Sequence, residues 1–179
     1  MTLTIILEGS NNVGKTTIAD KLETWLKKQE VNYTYFHDTE IYESVTMGHD
    51  VFDLDDLIDA RYELYKELRD EYDVILLDRS FMSTILYNLF NESNIVIFDY
   101  ISKELMNLIP APDDKLLVFV LVRDSDDSLS MKYVDLSHLL LSRFHVQSSV
   151  INTYNDLEMA FKRIKDNIYF DINGGTVNV

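Results

Sequence analysis

The segment ILEGSNNVGKTTIAD (residues 6–20) joins an apolar run to an amphipathic pattern through a turn that holds two of the chain's five glycines. Gly9, four further residues and then Gly14-Lys15-Thr16 match the pattern G-x-x-x-x-G-K-[ST]. The glycines let the backbone curl so that successive N–H groups point toward an anion. The following helix adds its positive N-terminal end. The segment therefore predicts a phosphate-binding loop, or P-loop, between a strand and a helix.

The P-loop pattern also predicts its ligands. Lys15 is expected to neutralise the β- and γ-phosphates of a nucleoside triphosphate, and the Thr16 hydroxyl is expected to be a magnesium ligand. We therefore predict ATP and Mg²⁺ as cofactors. The alternative is a glycine turn with an ordinary surface lysine, and the pattern does not say what becomes of the triphosphate. The predicted cofactor-binding residues are Gly9, Asn11, Asn12, Val13, Gly14, Lys15, Thr16 and Thr17.

The composition is that of one acidic globular domain. The chain has 179 residues, a formal net charge of −15, 46% hydrophobic residues and no cysteine, so we expect a single domain over 1–179 without disulfides or thiolate metal sites. A surface this acidic repels a phosphate backbone and argues against DNA or RNA as a partner, although acidity also serves solubility alone. The N-terminus lacks a basic region and no apolar run reaches about 20 residues, which predicts a cytoplasmic protein without a membrane segment.

Short apolar, β-branched runs alternate with longer helical patterns along the chain. Such alternation is typical of parallel strands joined by crossover helices, an α/β architecture. The apolar runs are continuous, as expected for strands that are covered on both faces. Strands are predicted at 3–7, 31–36, 74–77, 116–122 and 168–170.

The spacing of apolar residues predicts the helices between these strands. Helices are predicted around 18–26, 54–68 and 150–164. The chain's two prolines, in IPAPDD (109–114), mark a connection before the fourth strand. Residues 124–143 have the least decisive pattern, and they are a candidate lid segment.

A second segment, YDVILLDRSFMSTILYN (residues 72–88), predicts a buried strand that ends at Asp78 and is followed by a helix. An aspartate at this position holds magnesium, usually through water, in P-loop enzymes. ATPases normally place another acid next to it to activate water, whereas Arg79 follows here and suits the binding of an acceptor. A solvated strand end is the alternative. The hydroxyl and aromatic face of the helix is either a nucleoside pocket or a half-exposed surface; it carries Ser80, Ser83, Thr84 and Tyr87.

Arg61 lies within the apolar stripe of the second predicted helix, between Leu57 and Leu64. An inward-facing guanidinium needs an anion nearby, because the burial of an unpaired charge is very costly. A bound phosphate would satisfy that need. An acidic neighbour, or a side chain that reaches solvent, would satisfy it too.

Four segments of this chain resemble the thymidylate kinase family, within the wider group of nucleoside and nucleoside monophosphate kinases. EGSNNVGKTT (8–17) is similar to the family's E-G-x-D-G-x-G-K-T-T, and DRSFMSTILYN (78–88) aligns without gaps with its D-R-Y…S-S-x-A-Y-Q block. DARYEL (59–64) resembles its helix with A-D-R-x-x-H, and RFHVQSSVINTYNDL (143–157) bears a weaker likeness to its helix after the lid. The resemblance implies a three-layer P-loop fold with a five-stranded parallel sheet flanked by helices and the site at the strands' carboxyl ends.

The resemblance also implies roles for the matching residues. Lys15 and Thr16 would contact the ATP phosphates and magnesium, and Asp78 would lie near the metal. Arg61 and Arg79 would bind the acceptor's phosphate. The predicted catalytic residues are Lys15, Arg61, Asp78 and Arg79, and the predicted metal ligands are Thr16 and Asp78. The predicted substrate-binding residues are Asn11, Phe36, Asp38, Arg61, Arg79, Ser83, Tyr87 and Asn88.

The chain departs from the family pattern around the acceptor. Asn11 replaces a P-loop aspartate that reaches the sugar 3′-hydroxyl, and FHDTE (36–40) replaces R-E-P-G-G, which removes one acceptor arginine. Asn88 is one methylene shorter than the family's base-reading glutamine, so a larger or modified pyrimidine is a candidate base. With a last strand at 168–170, the family's closing helix has no counterpart. An arginine-rich lid is missing from the sequence; the nearby cations are Arg123, Lys132 and Arg143.

These observations predict transfer of the γ-phosphoryl group of ATP to a deoxynucleoside monophosphate, such as dTMP or a modified analogue. The predicted partners are this small-molecule substrate and, as a candidate, a second copy of the chain. Two alternatives stay open. A deoxynucleoside kinase would phosphorylate a free 5′-hydroxyl and would use Asp38 or Glu40 as proton acceptor. A nucleotide-binding module would keep the P-loop without transferase activity, although a guanine-specific N-K-x-D motif is absent from the sequence.

Overall fold

The computed structural model describes residues 1–38, 41, 54–89, 92–123, 128–154 and 156–172. Within these residues the chain forms five strands and six helices. The strands are β1 (Leu3–Glu8), β2 (Tyr33–His37), β3 (Val74–Asp78), β4 (Lys115–Val122) and β5 (Gln147–Asn152). The helices are α1 (Lys15–Lys28), α2 (Leu54–Glu71), α3 (Phe81–Asn88), α4 (Asn94–Leu108), α5 (Ser128–Phe144) and α6 (Leu157–Ile172).

The five strands form one parallel sheet in the order β2-β3-β1-β4-β5. Every residue of β1 and β3 is buried, as their continuous apolar runs predict. The chain moves from β1 to one side of the sheet and returns to the other side at β4, so the strand order reverses at β1. Open parallel sheets bind ligands beyond the carboxyl ends of strands at such a reversal. The predicted P-loop lies at this point, and the register Leu7↔Asp78 brings the end of β3 beside it.

Helices cover both faces of the sheet and form two apolar cores. Buried residues of α1 and α6 pack on one face, and those of α2, α3, α4 and α5 pack on the other. This arrangement confirms the predicted three-layer α/β class. Among the described residues, no helix is both long enough and apolar enough to cross a membrane.

The sequence interpretation is wrong at the last strand and the last helix. Residues 168–170 belong to α6, in which Ala160, Ile164 and Ile168 recur every four residues and are buried. The fifth strand is β5, where only Ile151 is buried. An edge strand that exposes most of its side chains lacks the continuous apolar run that marks the central strands. The predicted helix at 150–164 therefore began too early, and a helix does follow the last strand.

Most of the candidate lid segment, 124–143, lies in α5. Tyr133, Ser137 and Leu140 follow helical spacing and are buried against the sheet layer. Residues 124–127 lie outside the described part of the chain, so a lid there stays a prediction.

Candidate active site

The loop of residues 9–14, the predicted P-loop, joins β1 to α1 at the carboxyl edge of the sheet. Gly9 has a φ of 139° and Gly14 a φ of 94°, conformations that residues with a Cβ adopt only under strain. A Cβ at Gly9 would lie 2.3 Å from the carbonyl oxygen of Leu121, and a Cβ at Gly14 would lie 2.6 Å from Leu157 Cδ2. Both positions therefore require glycine for the loop's backbone and for its close packing.

Gly9→Ala is expected to destabilise the fold more than Gly14→Ala. The atom opposite Gly9 is a backbone oxygen of the buried strand β4, whereas the atom opposite Gly14 ends a leucine side chain that can rotate. We expect a loss of about 4 kcal/mol for Gly9→Ala and about 1–2 kcal/mol for Gly14→Ala. Urea unfolding of the two variants measures the difference. Equal losses would contradict this assignment of the clash.

Lys15 begins α1, and its ammonium group turns back into the loop. It donates to the carbonyl oxygens of Gly9 at 3.0 Å and Ser10 at 2.8 Å. Burial lowers the pKa of Lys15 to about 8, and the charge of Arg79 acts in the same direction. A nearby anion favours the charged form of a lysine, so a bound phosphate would offset this cost.

Thr16 and Asp78, the predicted magnesium ligands, come together in the lining of a cavity at this edge of the sheet. Thr16 Oγ1 donates to Asp78 Oδ2 at 3.5 Å, and the Tyr35 hydroxyl donates to the same oxygen at 3.3 Å. The other carboxylate oxygen, Oδ1, is buried and has no hydrogen-bond partner, which fits a ligand of a cation or of its water shell. In the described part of the chain, no group of three or more His, Asp or Glu side chains could hold a metal. A magnesium ion here would therefore take most of its ligands from phosphate and water.

A cavity of about 1250 Å³ opens at this edge of the sheet. Its volume exceeds the roughly 300–1000 Å³ of a pocket for one small ligand, so donor and acceptor have room side by side. The P-loop contributes residues 11–17, the whole predicted cofactor-binding set apart from Gly9. Arg123, from the region of the candidate lid, also lines it. The lining on the α3 side is His37, Asp38, Asp78, Arg79, Ser83, Thr84, Tyr87 and Asn88.

Arg79 lies in this lining and contacts the P-loop. Its NH1 group lies within hydrogen-bond distance of the Gly9 carbonyl oxygen (3.2 Å), Ser83 Oγ (3.2 Å) and the Tyr133 hydroxyl (3.1 Å). Its NH2 group donates to Asn11 Oδ1. The structure therefore brings Arg79 and Asn11, two of the predicted substrate-binding residues, together at the P-loop.

Arg61 does not line the cavity, which contradicts its predicted contact with an acceptor phosphate. Its side chain is fully buried, with 0% exposure. The Nε and NH2 groups donate to both oxygens of Asp38, and NH2 also donates to Thr84 Oγ1 at 3.0 Å. NH1 donates to Glu104 Oε1 at 2.7 Å and the Tyr100 hydroxyl at 2.6 Å. A guanidinium has five N–H donors, so none remains for a phosphate, and the acidic-neighbour alternative is the one observed.

The Arg61 network presents a carboxylate to the cavity. Asp38 is only 4% exposed, yet it belongs to the lining, and the two bonds from Arg61 fix its orientation. Glu104 is the second acid of the network, and burial raises its pKa, although Arg61 opposes the shift. Phe36, predicted at the substrate, packs against the apolar core and does not line the cavity. Of these predicted substrate-binding residues, Asp38 therefore lines the cavity, whereas Arg61 and Phe36 do not.

Glu8, the last residue of β1, is a buried acid that the sequence reasoning did not assign to the site. It accepts hydrogen bonds from the Ser80 backbone N–H at 2.8 Å and from Ser83 Oγ at 2.8 Å. Burial raises the pKa of Glu8 to about 7, although the bond from Ser83 and the charge of Arg79 oppose the shift. The sequence feature that could have identified this residue is an acid at the end of an apolar run, directly before Gly9.

Glu8 is expected to make the fold less stable as the pH rises from about 4.5 to about 7. Its pKa is higher in the folded state than in the unfolded state, so the folded state binds more protons in this interval and the free energy of unfolding falls, by at most about 3 kcal/mol. Glu8→Gln removes this component. Urea unfolding at about pH 5 and about pH 8 should show Glu8→Gln gaining stability relative to wild type at the higher pH. If the stability difference between Glu8→Gln and wild type were the same at both pH values, the raised pKa of Glu8 would be contradicted. Glu67→Gln, at an exposed position of α2, is the matched control.

Comparisons with known proteins support the fold. No family model and no curated protein sequence matches this chain. In contrast, 214 chains of solved structures resemble it. One is thymidylate kinase from Ehrlichia chaffeensis, with a TM-score of 0.65, 18% sequence identity and an alignment that covers 93% of this chain and 98% of that chain. At this identity the likeness shows the shared α/β fold alone, and any activity has to be argued from the site.

Proposed function

We propose that this protein transfers the γ-phosphoryl group of ATP to a deoxynucleoside monophosphate. The observation that carries the proposal is a single cavity that contains both the P-loop with Lys15 and Asp78 and, beside it, Arg79 and the polar face of α3. A triphosphate bound to the P-loop would have its terminal phosphate next to the part of the cavity that Arg79 and the polar face of α3 line. The similarity in fold to a thymidylate kinase agrees with this proposal.

Each residue has a part in this proposal. Lys15 and the P-loop N–H groups would hold the donor phosphates, and Thr16 and Asp78 would hold Mg²⁺, which supplies charge neutralisation at those phosphates. Arg79 would bind the phosphate of the acceptor. Transfer of this kind depends on alignment and charge stabilisation rather than on covalent chemistry by the protein. The acceptor phosphate is already ionised, so it needs no strong general base.

The α3 face would bind the rest of the acceptor. Ser83, Thr84, Tyr87 and Asn88 all line the cavity. Tyr87 is half exposed, so its ring is accessible to a base, and the Asn88 amide has both a donor and an acceptor for a base edge. A pyrimidine, including a modified one, is the base that we propose.

A second candidate function follows from Asp38. The carboxylate that Arg61 fixes at the cavity wall would repel a phosphate dianion, whereas it would accept a hydrogen bond from a free hydroxyl. This observation favours a deoxynucleoside kinase, in which Asp38 takes the proton of the 5′-hydroxyl. Glu40, the other predicted proton acceptor, lies outside the described residues.

One assay separates the two candidates. ADP release is measured with ATP and Mg²⁺ against a matched panel of deoxynucleosides and their 5′-monophosphates. Turnover with monophosphates supports the first proposal, and turnover with nucleosides supports the second. Asp38→Asn also weakens the pairing of Arg61, so turnover is compared per folded protein. In the folded protein it should abolish nucleoside turnover, because the proton acceptor is lost, and should spare monophosphate turnover. Acceptor-independent ATP binding without ADP release would reject both in favour of a binding module.

A further inference from the structure

A chain of hydrogen bonds, buried at Glu8 and Ser83 and partly buried at Arg79, connects Glu8 to Arg79. Ser83 Oγ donates to Glu8 Oε2 at 2.8 Å and lies 2.9 Å from the Tyr133 hydroxyl and 3.2 Å from Arg79 NH1. A serine hydroxyl has one proton and two lone pairs. Because that proton goes to Glu8, both lone pairs are available, and Ser83 accepts from Tyr133 and from Arg79.

Glu8 also holds the backbone turn that contains Arg79. Arg79 has a φ of 70°, a left-handed conformation that is strained for a residue with a Cβ and persists only where its surroundings hold it. The next residue, Ser80, donates its backbone N–H to Glu8 Oε1 at 2.8 Å. On the other side of the turn, the Arg79 N–H donates to the Leu7 carbonyl oxygen at 2.9 Å. Both bonds tie the turn to the end of β1.

We propose that Glu8, in its ionised form, is the positioning residue that orients the Arg79 guanidinium at the cavity. An uncharged group at position 8 that donates to Ser83 takes one of its two lone pairs. The proton of Ser83, no longer held by Glu8, then turns toward the Tyr133 hydroxyl, so the Ser83–Tyr133 bond reverses and the set of hydrogen bonds that orients the Arg79 guanidinium changes. The effect of this orientation on the KM of the acceptor rests on the proposed function, because it requires Arg79 to bind the acceptor. The orientation of Arg79 by Glu8 does not depend on the proposed function.

The charges around Glu8 are consistent with a group that changes its ionisation near neutral pH. Burial raises the pKa of Glu8 to about 7, and the charge of Asp38 after β2 acts in the same direction. The hydrogen bond from Ser83 and the charges of Arg79 after β3 and Lys15 on α1 oppose the shift. Tyr133 on α5 faces the same cluster. The orientation of Arg79 should therefore change with pH around 7, and the change should depend on Glu8.

A double-mutant cycle tests the kinetic consequence. Glu8→Gln and Arg79→Met should each raise the KM of the acceptor by about tenfold or more while the KM of ATP stays unchanged. The double variant should be no worse than Arg79→Met, because Glu8 acts through Arg79. The proposal would be overturned if the two increases in the acceptor KM multiplied in the double variant, or if the KM of ATP rose as much as that of the acceptor. Glu67→Gln is the control, and it should match the wild type.

A measurement without turnover separates this proposal from the proposed function. The Arg79 Nε–H resonance, assigned from its loss in Arg79→Met, is followed in the wild-type protein from about pH 5.5 to about pH 8.5. We expect a shift with a midpoint near 7 that Glu8→Gln lacks. If the shift occurs but no acceptor supports turnover, the positioning role stands and the proposed function fails. If turnover occurs but the resonance does not respond to pH, the positioning role fails; the wild-type titration decides this even if Glu8→Gln does not fold.

Discussion

Lys15→Met is expected to lower kcat for phosphoryl transfer by about a thousandfold, which corresponds to about 4 kcal/mol of transition-state stabilisation. Methionine keeps much of the apolar stem and removes the ammonium group that lies between the carbonyl oxygens of Gly9 and Ser10. That group is the P-loop's only side-chain cation, so the charge that develops on the donor phosphates would lose its nearest protein counter-charge. The measurement is ADP release at saturating ATP and acceptor.

The loss should occur without unfolding. Burial already disfavours the charged form of Lys15 and lowers its pKa to about 8, so relief of this burial cost offsets the loss of the two hydrogen bonds and the variant should still fold. Lys27→Met, at an exposed position of the same helix, is the matched control and should keep wild-type activity. A Lys15→Met variant with activity within threefold of the wild type would remove the P-loop from the mechanism.

Arg61→Met is expected to destabilise the fold by about 3–5 kcal/mol, because it leaves Asp38 buried without its counter-charge. The variant also removes the donors that satisfy Glu104 and Thr84. Glu104→Gln should cost much less, since the pKa of Glu104 is already raised and an amide retains an acceptor for Arg61. Urea unfolding of the two variants measures the difference.

Unfolding and kinetic measurements on Arg61→Met also show whether Arg61 belongs to the buried network or to the acceptor site. If Arg61→Met kept wild-type stability and raised the KM of a monophosphate acceptor, Arg61 would belong to the acceptor site. A loss of stability with an unchanged KM in the remaining folded protein is the result that the buried network predicts. Low temperature and glycerol keep enough of the variant folded for the kinetic assay.

The order of β1, loop and α1 and the end of β3 were predictable because each is encoded by a contiguous pattern. An apolar run followed by Gly9 and Gly14-Lys15-Thr16 specifies strand, loop and helix within one short segment. Asp78 was predictable for the same reason, as a charge at the end of a buried run. The β5–α6 region was not, because β5 exposes most of its side chains and Ile168 fits both a short apolar strand and a helix with Ile164.

The partners of Arg61 and Glu8 depend on tertiary contacts that local patterns do not encode. Helical spacing correctly placed Arg61 on the buried face of α2, but its acids lie 23 and 43 positions away, at the end of β2 and on α4. Glu8 meets Ser83 across 75 positions. A charge within an apolar stripe predicts that a counter-charge exists, and only the fold identifies it.

In the proposed reaction, the terminal phosphate of ATP passes to a nucleotide-sized acceptor in the shared cavity and not to water. The direct test is to incubate the protein with Mg²⁺, ATP labelled in its γ-phosphate and a mixture of deoxynucleosides and their monophosphates, and then to locate the label. We predict label in a phosphorylated nucleoside or nucleotide, with Lys15→Met as the blank. Label found only in inorganic phosphate, at a rate that the acceptors do not change, would contradict the proposed phosphoryl transfer.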